Sequence, residues 1–95
     1  ELNTNYFKKG MKDAGFDIVD GVTAIVPVML YDAKLSQTMA NMLLTEGIYV
    51  IGFFFPVVPK EKARIRVQLS AAHEKSHLNK AIASFIKVGK TLEII

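Results

Sequence analysis

Ninety-five residues with a formal charge of +3 make one small domain with room for a single core. Hydrophobic residues are 51% of the chain, which excludes a disordered tail and is apolar enough to imply surface that something else covers. The basic residues are scattered rather than clustered, so no nucleic-acid partner is expected, and zero cysteines exclude disulfides, thiolate metal sites and a thiol nucleophile.

Leu2, Tyr6, Phe7, Met11 and Ala14 recur at three- and four-residue steps, which predicts an amphipathic helix over residues 2–14. Gly15 stands where a helix end favours φ > 0. The chain opens inside this pattern without an initiator methionine and is expected to be a piece of a longer polypeptide. Phe16, Asp17, Ile18 and Val19 read as a short strand that turns through Asp20 and Gly21. Residues 24–30 are rich in branched side chains and read as a buried strand. Pro27 cannot donate to a ladder, so this strand belongs at an edge or is paired on one side only there.

Asp32 is a good N-cap, Leu35, Met39, Met42 and Leu43 form one apolar face behind it, and Gly47 stops that helix. A strand is predicted over residues 48–51, with a bend at Gly52. The longest apolar run, residues 48–59, is too short to span a bilayer and contains Gly52, Pro56 and Pro59, so no membrane partner is expected. Phe53, Phe54 and Phe55 cannot all face one core. At least one of them must meet another domain, a partner chain or a ligand.

Residues 64–69 (Arg-Ile-Arg-Val-Gln-Leu) alternate basic or polar with branched apolar, the period of a half-buried strand. Ile65, Val67 and Leu69 face a core, and Arg64, Arg66 and Gln68 the other side. Two arginines on a rigid strand, beside a wall with few charges, suit a small carboxylate, which a guanidinium fork binds bidentately. The alternatives are that both lie on a solvated face, or that a bend sends one to a pocket and the other to Glu61 or Glu46. The residues alone leave Arg64 and Arg66 tied.

His73, where strand gives way to helix, reads as a capping or packed imidazole. His77 lies four residues on, but with no cysteine and only Glu74 nearby no metal site is expected. A last helix over residues 77–88 turns Leu78, Ala81, Ile82, Phe85 and Ile86 inward. Gly89 ends it, and Leu92, Ile94 and Ile95 form an apolar tail. No Ser-His-Asp spacing and no glycine-rich loop opening a helix is present.

The order helix, strand, helix, strand, strand, helix predicts an α+β fold: a small, mostly antiparallel sheet with helices packed on one face. A crossover through the middle helix makes residues 24–30 and 48–51 parallel, and inserting the arginine strand between them gives a split βαβ layout. Fold alone also admits a free-standing module that binds small carboxylates or regulates.

Three segments carry a resemblance: residues 23–30 (TAIVPVML), 46–59 (EGIYVIGFFFPVVP) and 63–73 (ARIRVQLSAAH). They resemble the α-oxoamine synthases, which are fold-type-I enzymes dependent on pyridoxal 5'-phosphate (PLP). The resemblance is collinear, covers essentially the whole chain, and makes residues 1–95 the C-terminal small domain of an enzyme several times longer. The phenylalanine-rich loop favours the member that condenses glycine with acetyl-CoA to 2-amino-3-ketobutyrate, the reverse reaction serving threonine breakdown. Siblings making aminolevulinate, ketosphinganine or oxoaminopelargonate are less similar there.

By this resemblance Arg66, the second arginine of Arg-x-Arg, holds the substrate carboxylate, and Val57, Val58 and Pro59 border the substrate entrance. The Schiff-base lysine and the other cofactor-binding residues belong to the large domain, which this chain lacks. PLP is therefore expected in the intact enzyme and not on these residues, which by themselves should be inactive. The implied partners are the chain's own large domain, the second subunit of a homodimer, glycine and acetyl-CoA, in the cytoplasm or, in a eukaryote, the mitochondrion. Glu61 stands where the family usually has glycine, so a Cβ there calls for an adjusted turn. Glu74 stands where a threonine usually caps the last helix, with Ser76 as a later cap.

Overall fold

Val26 and Val28 on one strand and Ile65 and Val67 on another are the residues over which the fold closes, each 5% exposed or less. The computed structural model describes residues 2–19, 25–53, 56–68 and 75–95. In chain order these form α1 (Leu2–Ala14), β1 (Ile25–Met29), α2 (Ala33–Thr45), β2 (Ile51–Phe53), a 3-10 turn (Lys60–Lys62), β3 (Arg64–Gln68) and α3 (Lys75–Thr91). The sheet order is β1-β3-β2, and β3 runs antiparallel to both neighbours. The arginine strand is thus central, and β1 and β2 run parallel on either side of it, as the split βαβ reading requires.

Alternation along each strand separates two faces. Val26, Val28, Ile65 and Val67 meet Phe7 and Met11 of α1, Met39 and Leu43 of α2, and Leu78, Phe85 and Val88 of α3 in one core. Within it the ring of Phe85 stands edge-on to Phe7 and Phe16, at centroid distances of 6.0 and 5.9 Å. Such pairs contribute about 0.5–1.5 kcal/mol each beyond the area they bury. The α+β fold with its helices on one face follows directly from this pattern.

The three helices end alike. At α1 the amide of Gly15 donates to Lys12 O and that of Phe16 to Met11 O. At α2 Gly47 donates to Leu44 O and Ile48 to Leu43 O. At α3 Glu93 donates to Lys90 O and Ile94 to Gly89 O. Each is a Schellman motif with a left-handed residue at its centre: Gly15 (φ 110), Gly47 (φ 85) and Glu93 (φ 60).

That repeated cap explains where the elements depart from the sequence reading. Ile48 closes α2 and so cannot start a strand, and Val50 turns into the core, so β2 begins at Ile51 rather than 48. Gly52 is then mid-strand, opposite Ile65, and not a bend. α3 runs from Lys75 to Thr91, through Gly89, with Ser76 inside it rather than capping it. Gly89 is a packing glycine: a Cβ there would stand 2.7 Å from Phe16 Cζ. Residues 16–19 make only an isolated bridge, Ile18 to Val28.

Pro27 is accommodated as its chemistry demands. Val19 N donates to Pro27 O and Met29 N to Asp17 O, so the backbone groups of 27 and 29 point to the outer edge. The missing N–H of Pro27 therefore falls outside the β1–β3 ladder. The turn from Asp20 to Gly21 lies outside the described residues.

Candidate functional site

The face of the sheet opposite the helices carries Ile25, Pro27 and Met29 from β1, Ile51 and Phe53 from β2, and Arg64 and Arg66 from β3. No acidic residue occurs in any of the strands, so the two guanidinium groups lie on a face whose strands provide no countercharge. The strand is regular through both arginines, which share this face without a bend.

Their surroundings differ. Arg64 lies opposite Met29 and Phe53 at the end of the sheet, and its Nε donates to Lys62 O at 2.9 Å, tying it to the 3-10 turn. Arg66 lies two pairs inward, between Pro27 and Ile51, and its guanidinium carbon sits 4.5 Å from the centroid of the Phe53 ring. The acid-partner alternatives do not describe Arg64: Glu46 instead holds Lys87 Nζ at 2.8 Å, and Glu61 lies exposed on the 3-10 turn. Arg66 is half-buried, so its charge is only partly solvated while its walls are apolar. That is the environment in which a charge-assisted hydrogen bond to a small anion gains most.

Val57 is 73% exposed, Val58 half-buried and Pro59 exposed. They lie between β2 and the 3-10 turn, at the end of the sheet where Phe53 faces Arg64. Lys62 N donates to Pro59 O at 2.9 Å, which closes that turn. Glu61 sits in it without positive φ, since Tyr31 and Glu93 are the non-glycine residues with positive φ among those described. The Cβ at 61 is thus accommodated by a 3-10 conformation. At the same end of the sheet, just past Met29, Tyr31 (φ 65) donates its amide to Ala63 O and its hydroxyl to the Asp17 carboxylate; that bond, with some desolvation and the charge of Asp17, raises the phenol's pKa above its usual 10.0.

Of the phenylalanine triplet, Phe53 packs against this chain's own Arg66, a contact that only the register of β2 discloses. Phe54 and Phe55 lie outside the described residues, as do His73 and Glu74. His77 is exposed on the first turn of α3, and no metal-ligating cluster occurs among the described residues. No described helix is long and apolar enough to cross a membrane.

Every lysine lies on a helix or in the 3-10 turn, and none on the sheet face that presents Arg66. What the face offers is a cation for one end of a small acid.

A family model described as aminotransferase class I and II matches residues 1–85. The 2-amino-3-ketobutyrate coenzyme A ligase of Escherichia coli K12 is 48% identical over 93 residues, covering 98% of this chain and 23% of that protein. The 8-amino-7-oxononanoate synthase of Thermosipho melanesiensis is 52% identical over 93 residues, covering 98% of this chain and 24% of that protein. Among solved structures, serine palmitoyltransferase from S. paucimobilis, with bound PLP–myriocin aldimine, superimposes with a TM-score of 0.90 at 27% identity, over 99% of this chain and 24% of that one. The chain thus spans about a quarter of the length of the relatives it matches.

Proposed function

The chain belongs to the aminotransferase class I and II family, and from that premise we propose that it is the C-terminal small domain of a PLP-dependent acyltransferase. In this reading Arg66 binds the carboxylate of glycine while the enzyme joins glycine to the acetyl group of acetyl-CoA. The observation that carries it is the guanidinium of Arg66, fixed on the central strand, walled by Pro27, Ile51 and Phe53 and free of any strand carboxylate.

PLP, held by residues beyond these 95, supplies an electron sink for negative charge at the amino acid's α-carbon. The chain's own contribution is positional. A planar fork that grips both carboxylate oxygens removes rotation about the bond to the α-carbon and so presents that carbon in one orientation. Val57, Val58 and Pro59 border the path by which substrate reaches Arg66. The half-exposed apolar side chains around the arginines, Ile51 among them, pack in the intact enzyme against its large domain and second subunit. A cytoplasmic location suits this assignment.

Glycine and acetyl-CoA are favoured over a sibling pair of substrates by the triple-phenylalanine loop, residues 53–55. Sequence similarity alone supports a ligase and an oxononanoate synthase almost equally. Turnover of the intact enzyme with different amino acid and acyl-CoA pairs decides between them.

Substitution tests the role of Arg66. In the intact enzyme Arg66→Ala should lower kcat/KM for glycine by about 10²-fold, as expected for losing a charge-assisted fork, and leave cofactor absorbance unchanged. Arg66→Lys should recover only part of that loss, because a point charge replaces two parallel donors. A larger loss from Arg64→Ala would overturn the assignment.

A further inference from the structure

We infer that Phe53 is a positioning residue for Arg66, and that its ring sets how tightly the enzyme holds the carboxylate of its amino-acid substrate. The inference rests on the proposed role of Arg66 and extends it to a residue with no polar group of its own.

An arginine on an open sheet face has four rotatable side-chain bonds and a strongly solvated head, so most of its conformers do not point at a bound substrate. Register corrects this. Ile51 is the direct partner of Arg66, and Phe53 lies two residues on, on the same face, as its diagonal neighbour. Diagonal neighbours on an antiparallel pair are within reach of long and aromatic side chains. The ring is reached: the guanidinium carbon is 4.5 Å from its centroid. Attraction between the cation and the ring's negative face favours this conformer over those that swing into solvent.

The contact leaves the chemistry of the fork intact. It acts on the guanidinium's charge and requires no particular N–H, so the donors stay available to a planar carboxylate. It also displaces water from one side of the cation and so strengthens the bond to the substrate. Arg64 is held differently, by a backbone carbonyl that occupies its Nε. The two arginines are thus assigned opposite tasks: one is tied to the turn, the other is held in place without losing its donors.

The test uses the intact enzyme with bound cofactor. Phe53→Leu keeps an apolar side chain of similar reach and removes the π face. It should raise KM for glycine by about 3- to 10-fold with kcat within about twofold, the scale of one partly exposed cation–π contact. Phe53→Tyr keeps the ring face and should restore the native KM. Placed in an Arg66→Ala background, Phe53→Leu should add nothing further. Equal losses in kcat and kcat/KM, failure of the tyrosine to rescue, or an undiminished effect in the Arg66→Ala background would each overturn the inference. If instead Arg66→Ala itself leaves glycine KM unchanged, the assignment of Arg66 fails first. If Arg66→Ala raises KM and Phe53→Leu does not, only the role of Phe53 is lost.

Discussion

The two faces of this three-stranded sheet are built from the same strands by the same alternation, yet they answer to different demands. One face is closed by the three helices, and its residues from Val26 to Val67 are almost fully buried. The other is half-exposed, mixes aliphatic, aromatic and cationic side chains, and contains the two arginines. On the first face a side chain matters through the volume it fills. On the second, in the function proposed above, it matters through what it presents to something outside the chain. Stability and recognition are thereby separated by one residue of register, since shifting β3 by one position would exchange Arg66 for Ile65 or Val67.

Phe85→Ala would press hardest on the closed face. It removes the ring that both Phe7 and Phe16 meet edge-on, and a truncation of this kind costs about 3–5 kcal/mol. Amide exchange in the intact protein should show protection in α1 and α3 falling by 10²-fold or more, as that free energy implies. The open face provides the contrast: Arg66→Ala, which should cost the enzyme about 10²-fold in kcat/KM for glycine, should change the same protection by less than about 1 kcal/mol. A large loss of protection from Arg66→Ala would erase the distinction between the faces.

A smaller effect sharpens the account of α3. Gly89→Ala gains helix propensity but drives a methyl into Phe16, with a net cost of about 1–2 kcal/mol; an unchanged or higher melting temperature would show that the helices can part without penalty. The smallest concerns the helix end. Glu93 holds φ 60 at a position that glycine fills in α1 and α2, so Glu93→Gly should stabilise by about 0.5–1 kcal/mol, seen as a modest rise in melting temperature.

Much of the fold was legible because its signals are local. The helix over residues 2–14, the N-cap at Asp32, whose side chain accepts from Leu35 N at 2.9 Å, and the alternating strand at Arg64–Gln68 all stand where periodicity and capping chemistry place them. The sheet order was legible too, because a crossover and an antiparallel return leave few arrangements. The misplaced boundaries have two causes. Gly47 announced a helix end correctly, but the cap it belongs to also uses Ile48, and so delays the strand. Gly89 carried the same composition signal without the cap, because what it accommodates is Phe16, distant in sequence.

The candidate site divides in the same way. That an Arg-x-Arg strand beside an apolar loop suits a carboxylate is a matter of residue types and a two-residue period, both contained in the chain. Which arginine has its Nε engaged by the turn and which lies against an aromatic ring is not contained there. Periodicity assigns a side chain to a face, but contacts within that face depend on which residue of the neighbouring strand stands opposite. That register is decided only when the strands, the helix caps and the core are satisfied together.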